Sequence, residues 1–568
     1  MNIDITVKIG GEAGQGIQSV GQILSFVCQK AGLYVFGIND YESRIRGGHS
    51  FFQLRISDKP INAPNNVVNL LVSLDKRTYE IHKNELSINA ISVIDSEDLH
   101  FNDGILSLPI MKEAIKAGGS QTANIVAAGA CLSLLKTPFE FLEEAVHEIF
   151  GRKKEMLESN IAAAKIGFQM ASSVQFNYAF KWDKNSSKGI IMEGSKAIAL
   201  GALASDCRFA AFYPMSPATG IMTHLSSFAS AYKIPLVVEQ AEDELSAINM
   251  IIGASFAGVR SMTSTSGGGF CLMTEGLGLA AITETPIVIV NAQRPGPATG
   301  LPTRTAQADL LFVIRASQDE FPRFVFAPGT PKEAFDTIIK AFHLSEKYQV
   351  PSIVLSDHHF NSSMFLVEEP LNVPPTIERF LAKDEDLENI NEYKRFLLTP
   401  DGVSKRALPC MGKALVVVSG NEHSEDGHVS EAAQNRINMV NKRNAKLVSM
   451  QKEISSPESY YGDSEILIIG WGATKPAIQE SINILRKNGI NVGSLHFKDL
   501  WPFPLEFSEK ILKNSKKFFV AEENSTAQLG QLIKEQTGLS YSGAILKYDG
   551  RPFFPIEIVN KLTDFLKV

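Results

Sequence analysis

The chain has 568 residues, 44% of them hydrophobic and 21% charged, the composition of an ordinary globular protein and not of a disordered or fibrous one. Its 55 Lys and Arg against 62 Asp and Glu give a net charge of −7; without a basic run of about five residues or more it is a poor match to nucleic acid or to an anionic membrane. Charge-free apolar runs such as 125–135 fall short of the roughly 20 residues that a bilayer requires, and the opening MNIDITVKIGG lacks the apolar core of a signal peptide. A cytoplasmic protein of about three to five domains is expected, at roughly 100–200 residues each. The five cysteines, Cys28, Cys131, Cys207, Cys271 and Cys410, are scattered without a CxxC pair. That spacing supports neither a disulfide framework nor a zinc site, and it offers no close set of about four thiolates for an iron–sulfur cluster.

The first block, 1–179, alternates strands near 3–9, 51–56, 70–74 and 91–94 with helical patterns, and 122–171 is mostly helical. Strand 3–9 runs into Gly10-Gly11-Glu12-Ala13-Gly14-Gln15-Gly16-Ile17 and then a helix. Glycines between a strand and a helix let backbone N–H groups approach a phosphate. The dinucleotide fingerprint GxGxxG has Ser19 in place of its third glycine, although Asp40 stands at the distance of a ribose-binding acid. A P-loop laid over Gly11 to Gly16 has Ile17 where its lysine belongs. A turn needing glycine for backbone reasons alone, a phosphate contact at Gly14 and Gly16, and a NAD or FAD site all remain open on these residues. The turn 41–48 sets Arg44 and Arg46 beside glycines, either as an anion grip or as solvated loop arginines.

A polar linker, FKWDKNSSKG at 180–189, precedes the second block, 190–375. Near-continuous apolar strands at 209–213, 236–238, 287–290, 324–326 and 352–355, separated by helices, predict a parallel sheet covered on both faces. Ligands bind outside the carboxyl ends of such strands, so the loops there carry the candidates. Tyr213-Pro214-Met215-Ser216-Pro217 presents a hydroxyl between two prolines that stiffen the backbone. Glu239, Glu242, Asp243 and Glu244 precede an apolar helix, 245–257. An acid in a first turn is ordinarily a cap, but Glu244 begins a face with Ala247, Ile248 and Ile251 and is the best placed to be buried. Thr263-Ser264-Thr265-Ser266-Gly267-Gly268-Gly269 reads as another phosphate-like glycine turn. Arg294, at the end of a strand in the proline-stiffened RPGPATGLPT, suits bidentate capture of a carboxylate. From 376 to 462 the sequence is irregular, an arm or an interface segment. The last block, 463–568, returns to α/β with strands 466–469, 492–497 and 518–520 and a helix 475–488. The fold class is α/β and multidomain.

In this order the motifs resemble the 2-oxoacid:ferredoxin oxidoreductases, as an alpha subunit with the gamma domain fused at its N-terminus, and the resemblance covers nearly the whole chain. GEAGQGI and IRGGHSFFQLRISD look like the gamma domain (1–179). YPMSP resembles the family's YPITP, EDELSAINMIIGASFAG its pyrimidine-side helix and RPGPATGLPT its substrate loop, which makes 190–375 a pyrimidine-type thiamine diphosphate domain. After the connecting arm 376–462, GWGATKPAIQES and AEENSTAQLGQLI look like a transketolase C-terminal-type domain (463–568). The resemblance implies coenzyme A-dependent oxidative decarboxylation of a 2-oxoacid, with electrons passed to ferredoxin. It places Glu244 at N1′ of the cofactor's pyrimidine, beside Pro214, and Arg294 at the substrate carboxylate. Thr303, Tyr213 and Ser216 stand on the substrate side, where Ser216 replaces the motif's threonine, and Gly14 and Gly16 form a possible phosphate or coenzyme A loop. No residue of this chain is expected to hold a metal. No GDG followed by Asn-Asn, the signature that holds magnesium and diphosphate in thiamine enzymes, occurs in the sequence, so the resemblance implies a beta subunit. It would carry Mg and a [4Fe-4S] cluster in an (alpha-beta)2 assembly.

The expected substrate is 2-oxoglutarate, with Arg304 as a candidate second cation and oxidation or reductive carboxylation as the direction. The alternatives are a pyruvate or broad-specificity 2-oxoacid enzyme and, from other classes, a NAD- or FAD-linked dehydrogenase or a non-catalytic scaffold subunit.

Overall fold

The computed structural model describes residues 3–42, 48–151, 154–178, 180–184, 186–388 and 391–567. The chain divides into two units, Met1–Glu193 with Ser362–Pro370, and Gly194–Asn361 with Leu371–Val568.

A nine-stranded sheet organises the first unit. Its strand Asp4–Glu12 pairs antiparallel with His49–Ser57 and parallel with Val68–Ser73. Side chains alternate across a strand, so Ile5, Val7 and Ile9 enter the apolar core, together with residues of the helices Ile17–Lys30 and Ala123–Leu134. Thr6 and Lys8 alternate with them and are buried as well. The Lys8 ammonium is paired with Glu85 and lies 4.4 Å from the centre of the Phe51 ring. Ala123–Leu134 is buried along its whole length, and glycines let Lys154–Ala171 approach it. A Cβ on Gly129 would stand 2.2 Å from the Ala164 carbonyl, and one on Gly167 would stand 1.9 Å from that of Val126.

Two expectations change here. The strand Met364–Val367, assigned from sequence to the middle domain, belongs to this sheet and pairs antiparallel with both Tyr34–Tyr41 and Ile190–Glu193. A four-residue apolar run carries no mark of the sheet it will join. The strand after the first helix, Tyr34–Tyr41, is separated from Asp4–Glu12 by His49–Ser57. A dinucleotide fold needs its ribose-binding acid on a strand next to the first. Asp40 is instead two strands away, roughly 9–10 Å at the usual strand spacing, so the NAD or FAD alternative does not fit. Arg44 and Arg46 lie outside the described residues.

The second unit contains two sheets. Six parallel strands run in the order Val237–Gln240, Phe209–Phe212, Ser261–Thr265, Val288–Gln293, Ser352–Asp357, Phe324–Phe326. The inner three of these, from Ser261 to Asp357, are buried throughout, as strands covered on both faces must be. The seventh strand, Asp499–Trp501, comes from the last block and pairs antiparallel with Phe324–Phe326. The other sheet has four parallel strands, Val492–Phe497, Ile466–Trp471, Lys517–Glu522 and Gly543–Leu546, edged by the antiparallel Glu458–Tyr460. One hydrophobic core contains residues of both sheets, from Ile289 and Leu355 to Trp471 and Leu495, with Ile248 and Phe270 of the helices packed on them.

The arm contains a 19-residue helix, Ala433–Gln451, that the sequence does not announce. Its buried side includes Lys442, Arg443 and Lys446 beside Met439 and Met450, so apolar periodicity, the usual signal, is missing. Lys442 Nζ donates to Glu284 Oε1 at 2.7 Å and Lys446 Nζ to Glu284 Oε2 at 2.7 Å. Arg443 reaches Glu422 at 2.8 Å. Burial by itself would raise the Glu284 carboxyl, but the charges of Lys446, Lys442 and Arg395 hold it well below the usual range. Burial pushes Lys446 down to about 7. Breaking one partner of a buried ion cluster leaves uncompensated charge and typically costs about 3–5 kcal/mol. Glu284→Gln should therefore lower unfolding stability by about that amount in urea titration, whereas Lys405→Ala, which removes an exposed partner of Asp386, should cost under about 1 kcal/mol.

Candidate active site

At the carboxyl ends of the parallel strands, four loops bring the candidate residues together. The helix Glu244–Phe256 begins with Asp243 as its cap, whose carboxylate accepts from the Ser246 N–H at 2.7 Å. With capping done by Asp243, Glu244 turns inward. It is 3% exposed and its Oε1 has no hydrogen-bond partner. Ala247, Ile248 and Ile251 share its buried face, whereas Glu239 and Glu242 are exposed. The two neighbouring acids shift oppositely. The Ser246 N–H holds Asp243 below the ordinary carboxylate range; burial raises Glu244, helped by the Asp243 charge and opposed by Arg294.

The glycine run after Ser261–Thr265 serves close packing. A Cβ on Gly269 would stand 2.0 Å from Thr265 Oγ1 and 2.5 Å from Glu244 Oε1. One on Gly267 would meet Asp309 Oδ2 at 2.4 Å, while one on Gly268 would meet only the Ala298 carbonyl, at 3.7 Å. The first turn of the helix Gly267–Ile282 thus lies against two carboxyl groups and faces the 294–303 loop. Sequence reasoning read this run as a phosphate turn and passed over Asp309, whose carboxyl burial pushes up to about 6 against the opposing Asn291 N–H. The chain folds back between Asp309 and Gly267, 42 positions apart by their numbers, and no local pattern records that approach.

Arg294 follows Val288–Gln293 and its Nη1 donates to the Ser216 carbonyl at 2.7 Å, tying the two loops together. Met215 accepts from the Ser266 hydroxyl through its sulfur. Tyr213 is 40% exposed and Pro214 is also exposed. Gly300 closes the arginine's loop. Its φ is +54°, a Cβ there would lie 1.7 Å from the Pro295 carbonyl, and that carbonyl accepts from Leu301 N at 3.0 Å. Thr303 is buried just beyond, and its carbonyl accepts from Arg304 Nη1 at 3.1 Å. Contacts thus join Glu244, Arg294, Ser216 and Met215 into one site, with Thr303 on the arginine's loop.

The N-terminal glycine loop belongs to the first unit. Gly14 and Gly16 have φ of +98° and +72°, and Gly16 caps Ile17–Lys30 with no side-chain hydrogen bond to its first amides. A Cβ on Gly16 would stand 2.3 Å from Asn124 Nδ2, and one on Gly14 would meet nothing within 4 Å. Gly16 is therefore required by packing as well as by its positive φ, and Gly14 by its positive φ.

A parallel sheet whose carboxyl-end loops hold a buried acid at the start of one helix and an arginine just past the strand Val288–Gln293 has the layout of an α/β ligand site. Residues 200–442 match the thiamine diphosphate-binding family described as pyruvate flavodoxin/ferredoxin oxidoreductase. Residues 6–170 match pyruvate ferredoxin/flavodoxin oxidoreductase, and 464–553 match core domain II of pyruvate:ferredoxin oxidoreductase. A 2-oxoacid:ferredoxin oxidoreductase alpha subunit from a Sulfolobus species is 34% identical over 98% of this chain and 96% of its own length. The 2-oxoglutarate oxidoreductase subunit KorA of Mycobacterium tuberculosis is 27% identical over 98% and 90%. A solved 2-oxoglutarate:ferredoxin oxidoreductase from Magnetococcus marinus, with 2-oxoglutarate, coenzyme A and succinyl-CoA bound, superposes with a TM-score of 0.90 at 30% identity, covering 99% of both chains. The chain belongs to the 2-oxoacid:ferredoxin oxidoreductase family.

Among the described residues no helix is long and apolar enough to cross a membrane, and no three His, Cys, Asp or Glu side chains are grouped to hold a metal.

Overpacking a tight site costs about 1–3 kcal/mol, roughly 5- to 150-fold in a binding constant. Gly269→Ala should displace Glu244 and weaken thiamine diphosphate binding by about that factor in titration calorimetry of the assembled enzyme. Gly268→Ala, which has room, should stay within about twofold.

Proposed function

We propose that this chain is the gamma–alpha fused subunit of a coenzyme A-dependent enzyme that oxidatively decarboxylates 2-oxoglutarate to succinyl-CoA and passes the electrons to ferredoxin. The observation that carries the proposal is Glu244, a buried carboxyl with Oε1 unpartnered and its pKa raised by burial. A buried polar group without a partner is costly, and the pyrimidine N1′ of thiamine diphosphate is a partner that would satisfy the Glu244 oxygen. When bound, thiamine diphosphate supplies the carbon centre on which a 2-oxoacid can lose carbon dioxide. Glu244 would face the pyrimidine nitrogen with its unpartnered Oε1, in a buried setting that strengthens the contact. Pro214 and the rest of the YPMSP loop would flank that ring. Arg294 has five N–H donors; one is spent on Ser216, and others take the substrate carboxylate. Tyr213, Ser216 and Thr303 line the substrate side.

A beta subunit completes the site with magnesium, the diphosphate-binding groups and a [4Fe-4S] cluster, in an (alpha-beta)2 assembly in the cytoplasm. The need for a partner subunit is supported by the alpha-subunit names of the relatives, by the lack of a GDG followed by Asn-Asn and by cysteines too scattered to ligate a cluster. Gly14 and Gly16 offer coenzyme A a phosphate loop at a helix N-terminus, where amides favour anions. The choice of 2-oxoglutarate rests on the relatives named for it; a viologen-reduction assay across several 2-oxoacids would reveal a pyruvate or broad-specificity enzyme instead.

Glu244→Gln should leave assembly intact and slow C2–H/D exchange of the bound cofactor by about 10²–10⁴-fold, the usual worth of positioned proton transfer, with much smaller effects at Glu239 or Glu242. Normal exchange in Glu244→Gln would defeat the proposal. Arg294→Met should raise KM with thiamine diphosphate binding unchanged, by the equivalent of about 2–4 kcal/mol for a charge-assisted bidentate contact. Lysine should restore only part of it, because an ammonium lacks the planar fork.

A further inference from the structure

The carboxyl ends of a parallel sheet are where an α/β domain ordinarily takes its ligand. In the five-stranded sheet those ends hold a piece of the protein instead, the segment just past Thr303. Gln307 is fully buried and hydrogen-bonded at every polar position. Its N–H donates to the Glu523 carbonyl at 2.8 Å, and its Oε1 accepts from Glu523 N at 3.2 Å. Its Nε2 donates to the Trp471 carbonyl at 2.7 Å, and its own carbonyl accepts from Asn524 Nδ2 at 3.0 Å. Trp471 ends one strand, and Glu523 and Asn524 follow another. Gly472 has φ +56°, and a Cβ there would come within 2.9 Å of Gln307 Nε2, so the GWG turn is shaped to admit this amide. The flanks are pinned too. Thr305 N donates to the Gly550 carbonyl at 3.2 Å, and Gln528 donates to the Ala308 carbonyl at 2.7 Å and accepts from Leu311 N at 3.0 Å.

The loop bearing Arg294 is thus fixed at one end by the strand Val288–Gln293 and at the other by this docked segment. We propose that Gln307 is a positioning residue for the 2-oxoacid, holding the far end of the Arg294–Thr303 loop so that the transketolase C-terminal-type domain sets substrate affinity without touching substrate. This rests on the reading of Arg294 as the carboxylate-binding residue. Glu244 lies on a different helix and no hydrogen bond ties it to Gln307, so loss of the latch should disturb substrate capture by Arg294 before it disturbs cofactor activation.

The test uses the holoenzyme with Gln307→Met, which keeps the volume and removes the side-chain amide, the half-buried Gln528→Met, and Arg294→Met as a control. KM and kcat for 2-oxoglutarate are measured with C2–H/D exchange of the bound cofactor. Gln307→Met should raise KM by about 10- to 100-fold, the scale of a small misplacement of a binding group, with exchange unchanged; Gln528→Met should raise KM by a smaller factor. An unchanged KM in Gln307→Met, or a loss of exchange in parallel with it, overturns the inference. If Gln307→Met does not fold, Gln528→Met decides on the same two readouts. If Arg294→Met leaves KM unchanged, the reading of the loop fails and the inference with it. If Arg294→Met raises KM and Gln307→Met does not, only the inference falls.

Discussion

A carboxyl group buried with one oxygen unpartnered is expensive, and the middle domain is arranged around keeping Glu244 in that state. Asp243 takes over the capping of the helix and leaves its neighbour free to turn inward. Gly269 provides the space, since a Cβ there would come within 2.5 Å of the Glu244 oxygen and 2.0 Å of Thr265 Oγ1. Arg294 opposes part of the burial effect from a neighbouring loop while committing a donor to the Ser216 carbonyl. Glycine run, cap, arginine and YPMSP turn are thus parts of one electrostatic arrangement around the buried acid, which is proposed to face the cofactor's nitrogen heterocycle. Charge-stabilising groups held in place in a low-dielectric site act strongly because they need not reorganise.

The rest of the second unit holds those loops still. Of the strands beneath them, Ser261–Thr265, Val288–Gln293 and Ser352–Asp357 are buried throughout, and one core continues into the five-stranded sheet. The arm that looks unstructured from its composition is stapled by a helix whose buried side is cationic, closed on Glu284 and Glu422. Such pairs add little net stability over apolar packing but penalise any arrangement that leaves one partner alone. They fix where the arm lies.

The N-terminal unit follows a different economy. Its glycine loop has the composition of a phosphate cradle, yet Gly16 is also demanded by Asn124 and only Gly14 stands open. Its strand order separates Asp40 from the first strand, which removes the dinucleotide reading that spacing alone had left open. Local sequence contained both glycines and the acid; the inserted antiparallel strand decided what they could do together.

The alternation of apolar strands with helices, the carboxyl-end loops and the acid that begins an apolar helical face were all determined by the sequence itself, because each depends on side-chain periodicity within about 20 residues. Glu244 could be singled out from three neighbouring acids because its face continues through Ala247, Ile248 and Ile251. What only the tertiary structure decided involves partners far apart in the chain. Met364–Val367 joins a sheet begun more than 300 residues earlier, Lys442 and Lys446 are buried against Glu284, Asp309 settles against Gly267, and Gln307 is enclosed by Trp471, Glu523 and Asn524. A polar or charged residue carries no local sign that it will be buried, since burial becomes tolerable only through the partner that chain folding delivers.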